Sequence, residues 1–321
     1  MWRQLLCVII LAYATNGAWS ADAYPNKAIR IIDGFAPGGS ADYLARVIAP
    51  KLSERLGQPV VVENRPGAAG NIGAAFVAHA NADGYTLLMG SVTALSSSPS
   101  LYHKLDYDLM KDFAYVTRVA TAANVLVAHP SVPASSIAEL VALSRSKHEQ
   151  LQYGSAGVGS PGHLFMEQLE LLTGMKLVHV PYKGGAPAIA GLLAGDVQLS
   201  FSSITATLSM IRANRLKALA TSGATRSAAL AGTPTMAESG VRGFDARNPF
   251  GLLAPVGTPT AVVNLLNAEV GNILKLDDVK AKFAAQAFDA SASTVDEFRA
   301  VMEAETKLWA RVIKEANISI E

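Results

Sequence analysis

From about residue 28 onward the chain repeats one short unit: an apolar run, a glycine-rich turn, then an amphipathic helical pattern. Residues 28–32 lead into Ala36-Pro37-Gly38-Gly39-Ser40. A helical stretch follows to about Leu56, in which Leu44, Val47, Ile48 and Leu52 recur at three- and four-residue steps. Residues 60–62 lead into the turn at 65–71 and a helix over about 72–79, and residues 85–89 form a third strand after Asp83-Gly84. Another strand starts near Val125, with a capped helix start at 135–139. Residues 151–153 lead into the turn at 154–162 and a helix over 163–173, and residues 177–182 into Lys183-Gly184-Gly185 and a helix over 186–193. Strands alternating with helices predict α/β domains with mainly parallel sheets.

Four such junctions point to ligand binding. In open α/β sheets ligands gather at the carboxyl ends of the strands, where these turns lie. Each helix start offers backbone N–H groups without an intrahelical partner and about half a positive charge. Glycine lets backbone approach a ligand closely. Facing pairs of such turns make an anion receptor without an arginine cluster. For any single junction, a tight turn is the simpler reading.

The rest of the composition narrows the class. A length of 321 residues favours two domains, and half the residues are hydrophobic, which excludes bulk disorder. Lys and Arg number 27 against 26 Asp and Glu, so there is no basic excess of the kind nucleic acid recruits. Arg3, the apolar run over 5–14 and Ala18-Trp19-Ser20 read as a signal peptide over residues 1–20, with a second cut possible after Ala23. Cys7, inside that segment, is the single cysteine, so the mature chain is expected to be cysteine-free, exported and soluble.

Catalytic signals are thin. Gly157-Val158-Gly159-Ser160-Pro161-Gly162 fits the dinucleotide fingerprint, yet the following strand at 177–182 lacks the carboxylate that would hold a ribose. Ser155 and His163 share one loop without a nucleophile elbow. None of His79, His103, His129, His148, His163 and His179 has metal-ligand spacing. No enzyme activity, cofactor or metal is expected. The alternative is an exported serine-dependent hydrolase acting on a small carboxylate ester or amide.

The segments 35–42 with Arg46, 62–73, 83–88, 154–160 with His163, 180–188, 234–238 and 251–255 resemble the Bug family of extracytoplasmic solute receptors. The likeness runs in order along essentially the whole mature chain. It implies a two-domain periplasmic binding fold with the ligand cleft between domains. It implies capture of a dicarboxylate, tricarboxylate or aromatic acid for a tripartite tricarboxylate transporter or for sensing. The partners implied are the ligand and membrane subunits or a sensor protein, with the receptor itself monomeric.

Carried onto this chain, the resemblance places Gly38, Gly39 and Ser40 on the ligand from the first domain, helped by Ala68, Gly70 and Asn71, with hydroxyls from Ser91 and Thr93. Ser155, Ala156 and His163 would close from the second domain, with Gly184, Gly185 and Ser203 at the cleft. Ser202-Ser203 stands where several members carry an acidic or amide residue, which disfavours an amino-acid ligand. Asp33-Gly34 also departs from the family pattern of an apolar residue and proline. The expected division is 21–123 for the first domain, 124–248 for the second, and 249–321 returning to the first. Phe298, Met302 and Trp309 are expected as core contacts of the last helix.

Overall fold

The computed structural model describes residues 24–146, 150–244 and 246–319. The expected signal peptide with its cuts after Ser20 or Ala23, Cys7 and His148 lie outside the described residues.

The first half runs β1 (Ile29–Asp33), α1 (Ser40–Leu56), β2 (Val60–Asn64), α2 (Asn71–Ala78), β3 (Thr86–Ser91), α3 (Val92–Leu101) and β4 (Phe113–Ala122). Next come β5 (Asn124–Ala128), α4 (Ile137–Arg145), β6 (Gln152–Ser155), α5 (Pro161–Thr173), β7 (Val178–Pro181), α6 (Gly185–Ala194), β8 (Leu199–Ser203), α7 (Ile204–Arg212) and β9 (Lys217–Thr221). The chain ends with β10 (Asn248–Pro255), α8 (Thr260–Ile273), α9 (Asp277–Ala285), β11 (Phe288–Ala290) and α10 (Val295–Glu315).

These strands form two sheets, ordered β11-β4-β10-β3-β1-β2 and β7-β6-β8-β5-β9. The sheets are mixed rather than mainly parallel. Strand β1 runs parallel to β2 and β3, and β6 to β7 and β8, which are the pairs joined through glycine-rich turns and helices. Strands β10, β11, β5 and β9 pair antiparallel. The departure arises where the chain changes sheets: it leaves the first between Ala122 and Asn124 and returns between Thr221 and Asn248.

Both faces of each sheet are buried, and the two-residue period of the strands divides the core. Ile29 and Ile31 join α1, α8 and α9 in one cluster, while Ile32 joins Tyr115 and Phe298 in another. Leu126 and Ala128 pack with Phe165 and Tyr153, whereas Val125 and Val127 pack with Leu192 and Ile204.

Helix α10 opens on a capping box between Thr294 and Glu297. Phe298, Met302 and Trp309 are all fully buried, as core contacts should be. They do not share one core. Phe298 and Met302 belong to the first sheet's cluster with Tyr115 and Leu253, whereas Trp309, Val312 and Ile313 pack with Phe165 in the second's. The tail expected to rejoin the first domain therefore spans both.

Candidate functional site

A cleft of about 600 Å³ lies where the junctions of the two sheets face each other, within the range usual for small-molecule sites. The β1–α1 turn, Ser91 and Phe250 line it from the first sheet. The β6–α5 turn, α6, the end of β8 and the start of α7 line it from the second. No Asp, Glu, Lys, Arg or His is among the described lining residues.

The first-sheet turn rests on a polar network. Asp33, fully buried at the end of β1, accepts the Phe35 N–H at 3.0 Å and the Asn64 side-chain amide at 3.1 Å. Asp42 accepts the Gly38 N–H at 3.0 Å and Arg46 Nε at 2.9 Å. Burial pushes the Asp33 carboxyl up to about 7, only partly offset by the Phe35 N–H. Burial also raises Asp42, but Arg46 and the Gly38 N–H outweigh it and hold that carboxyl below its ordinary range. Gly38 takes φ +86, a left-handed conformation that favours glycine, and delivers the chain to the α1 cap at Gly39. The Tyr43 N–H reaches the Gly39 carbonyl at 3.0 Å, so the amides of residues 40–42 precede the first intrahelical bond and form an anion-binding helix start.

On the facing side, Ser160 caps α5 with Pro161 at the first helical position. Gly162 lets α5 approach the sheet: a β-carbon there would lie 2.4 Å from the Phe201 carbonyl oxygen. The Ser160 hydroxyl and the Asn124 side-chain carbonyl are both buried without a protein partner, and both residues line the cleft. Buried polar groups normally find partners, so each of these two has a hydrogen bond left for a ligand or an ordered water.

Gly39, Ser40, Ser91, Ser155, Ala156, Gly185 and Ser203 line the cleft, as does Gly38, although the Gly38 N–H is already committed to Asp42. Several of their hydroxyls are also committed. Ser91 Oγ donates to Asn248 Oδ1 at 2.8 Å, and Ser203 Oγ accepts the Ala206 N–H as the α7 cap. Ser155, 2% exposed, has its Oγ 2.7 Å from His179 Nε2 and accepts the Gly157 N–H at 3.1 Å. Its hydroxyl thus ties the turn together while the residue lines the cleft.

The other expected residues lie outside the lining. Ala68 and Gly70 form a short turn behind the Phe35 ring. Asn71 is buried and accepts the Tyr107 hydroxyl at 2.5 Å, and Thr93 is fully buried, donating to the Arg247 carbonyl at 3.4 Å. Gly184 caps α6 one residue before the lining starts. His163 lies beneath its turn: Nδ1 accepts the Gly159 N–H at 3.1 Å, which places its proton on Nε2, 3.5 Å from Glu167. Its ring stacks on His179 at 4.0 Å, and burial together with His163 holds His179 down to about 3, so it is neutral.

Ser160, Asn124 and the apolar residues Ile189, Leu193 and Met210 were not among the expected contacts. The Ser-Pro-Gly sequence at 160–162 was a usable signal for Ser160 as a cap. Asn124 read as a domain crossing, and Ile189, Leu193 and Met210 read like any buried helix face.

A sequence model described as a tripartite tricarboxylate transporter family receptor matches residues 44–318. Protein BugT of Bordetella pertussis is 38% identical over 322 residues, covering 99% of both chains. The solved structure of R. palustris Rpa4515 with adipate is 35% identical, with a TM-score of 0.88 over 92% of this chain and all of that one. Periplasmic binding protein BugD is 31% identical, with a TM-score of 0.86 over 92% of this chain and all of its own. With its fold, cleft and nearly full-length likeness to these proteins, the chain belongs to the tripartite tricarboxylate transporter receptor family, the Bug-type solute-binding receptors.

Proposed function

We propose that the protein captures a small carboxylate between its two domains in the periplasm and presents it to transporter membrane subunits, without turnover. The observation that carries this reading is the cleft itself: the α1 helix start opens into it, with two unpartnered buried polar groups in its lining. The structure of a 35% identical protein of the same fold with adipate supports the ligand class. Gly39 and Ser40 are the proposed anion contacts from the first domain, and Ser160 and Asn124 complete the polar set. Among the described residues no helix is long and apolar enough to cross a membrane.

A melting screen over mono-, di- and tricarboxylates tests the reading. An acid at 100 times its dissociation constant should stabilise the protein by about 2.7 kcal/mol. No shift with any carboxylate would overturn it. The Ser155–His179 contact of 2.7 Å favours a second reading, the serine-dependent hydrolase. That reading requires labelling of Ser155 by a fluorophosphonate probe and release of acid from small esters, whereas the receptor reading requires neither.

A further inference from the structure

Asp33 ends β1 in a place that favours an apolar side chain: Ile29, Ile31 and Ile32 before it are all fully buried, as in a parallel strand covered on both faces. It is itself fully buried, and its Oδ1 accepts the N–H of Phe35, a cleft-lining residue. Few charges face it. From α1 come Asp42, which accepts the Gly38 N–H, and Arg46, which donates to Asp42. From β2, Asn64 donates to Asp33 and accepts Arg46 Nη2 at 3.1 Å, while Glu63 is paired with Arg30 and Arg65. Strand β3 and helix α2, packed on the same strand, carry no titratable side chain. One half-exposed guanidinium thus answers two carboxylates.

A ligand carboxylate at the α1 helix start brings a third negative charge to this group. Asp42, despite its burial, is held ionised by Arg46 and the Gly38 N–H. Asp33 is the member able to change: burial, opposed by the Phe35 N–H and helped by Asp42, already puts its carboxyl at about 7. A further negative charge nearby favours the protonated form. A protonated Asp33 still has an oxygen to accept the Phe35 N–H, so the turn keeps its shape.

We propose that Asp33 takes up a proton as the carboxylate binds, so that this receptor loads its ligand together with a proton and holds it more tightly in acid than in alkali. Asp33 is thereby a positioning residue: it holds the turn that meets the ligand rather than the ligand itself. The proposal rests on the carboxylate-receptor reading and adds to it a pH dependence that backbone amides, which do not titrate, would not produce alone.

Calorimetric titration of the whole protein tests it, with adipate or with the acid of the carboxylate screen that stabilises the protein most. Each titration is run between pH 6.5 and 8.5 in two buffers of different ionisation heat, which counts the protons taken up once the acid's own titration is subtracted. A bound anion that moves the Asp33 midpoint up to about 8 gives uptake of about half a proton at pH 7.5 and about fivefold weaker binding at pH 8.5 than at 6.5. Asp33→Asn should bind with no uptake and a flat pH profile. Binding without proton uptake by the parent would overturn the proposal and leave the receptor reading intact. Absence of binding by every carboxylate would overturn both. Across the cleft, His163, His179 and Glu167 lie beneath the β6–α5 turn, and uptake by any of them would persist in Asp33→Asn, which would also overturn the assignment. Should that variant not fold, the carboxyl carbon resonance of Asp33 in the parent decides: its titration midpoint must rise when ligand saturates the protein, and an unmoved midpoint would overturn the proposal.

Discussion

At the scale of single residues, polar side chains around the cleft hold its backbone turns in place. Ser155 is the clearest case, because its hydroxyl is shared between His179 Nε2 and the Gly157 backbone. Ser155→Ala would leave a buried imidazole nitrogen and a turn N–H without their partner, at about 1–3 kcal/mol. Urea unfolding of the unliganded variant should show that loss. Unchanged stability with a tenfold weaker ligand would instead return Ser155 to direct contact. Asp33 makes a pH-dependent contribution. Its carboxyl is raised from an ordinary 3.8 to about 7 by burial. Between those values the folded chain holds a proton that the unfolded chain has released, so stability falls as pH rises through this window. The melting temperature of the unliganded protein should therefore fall from pH 5 to pH 7.5, and Asp33→Asn should flatten that slope. A variant as steep as the parent would show that other groups set it. The sequence displayed Asp33 as a departure from the family pattern, but its network with Asn64, Asp42 and Arg46 joins residues 31 positions apart and was not legible there.

The elements were more readable than their side-chain roles. Alternating apolar runs and glycine turns marked the strands and helices bordering the cleft, since each glycine junction is a local signal encoded within about ten residues. Pairing direction was not local. Nothing within β5 or β10 says that it runs antiparallel to its neighbours, because that follows from where the chain changes sheets. The same limit applies to the site. Gly39, Ser40 and Ala156 belong to glycine-rich junctions that line the cleft, so the turn pattern found them, whereas Ile189 and Met210 line it only because α6 and α7 stand where they do. Helix α5 offers a test at this scale. A β-carbon at residue 162 would meet the Phe201 carbonyl oxygen at 2.4 Å, a clash with backbone that no side-chain rotation relieves. Gly162→Ala should therefore push the start of α5 off β8, costing about 1–3 kcal/mol as overpacking does. Ligand affinity should fall with it, because Ser160 moves with the helix start. Calorimetry and unfolding on this variant should change together; full affinity in a destabilised protein would show that the α5 start does not contact ligand.

For the whole molecule, the question is what happens to α10 when the cleft closes. The backbone passes between the sheets next to Asn124 and Asn248, two positions suited to a hinge, and Ser91 Oγ fastens Asn248 from the first sheet. Helix α10 adds a third tie. Its 21 residues make a rod of about 31 Å, with Phe298 and Met302 sunk in one core and Trp309, Val312 and Ile313 in the other. A rigid rod anchored at both ends permits rotation about an axis near itself and resists a wide swing, because opening would draw Trp309 away from Phe165 and into water. Closure should therefore be a modest rotation, seen by small-angle scattering as a small decrease in the radius of gyration when ligand binds. Trp309→Ala tests the tie. The indole is fully buried, 5.6 Å between ring centres from Phe165, and its N–H donates to Glu305 at 2.7 Å. Its removal should cost about 3–5 kcal/mol, as expected of a large aromatic taken from a core. If α10 restrains opening, the unliganded variant should also have a larger radius of gyration than the parent, and the ligand-induced decrease should grow. Lost stability with an unchanged radius of gyration, unliganded and liganded, would reduce α10 to ordinary core packing and leave the two strand crossings to govern closure alone.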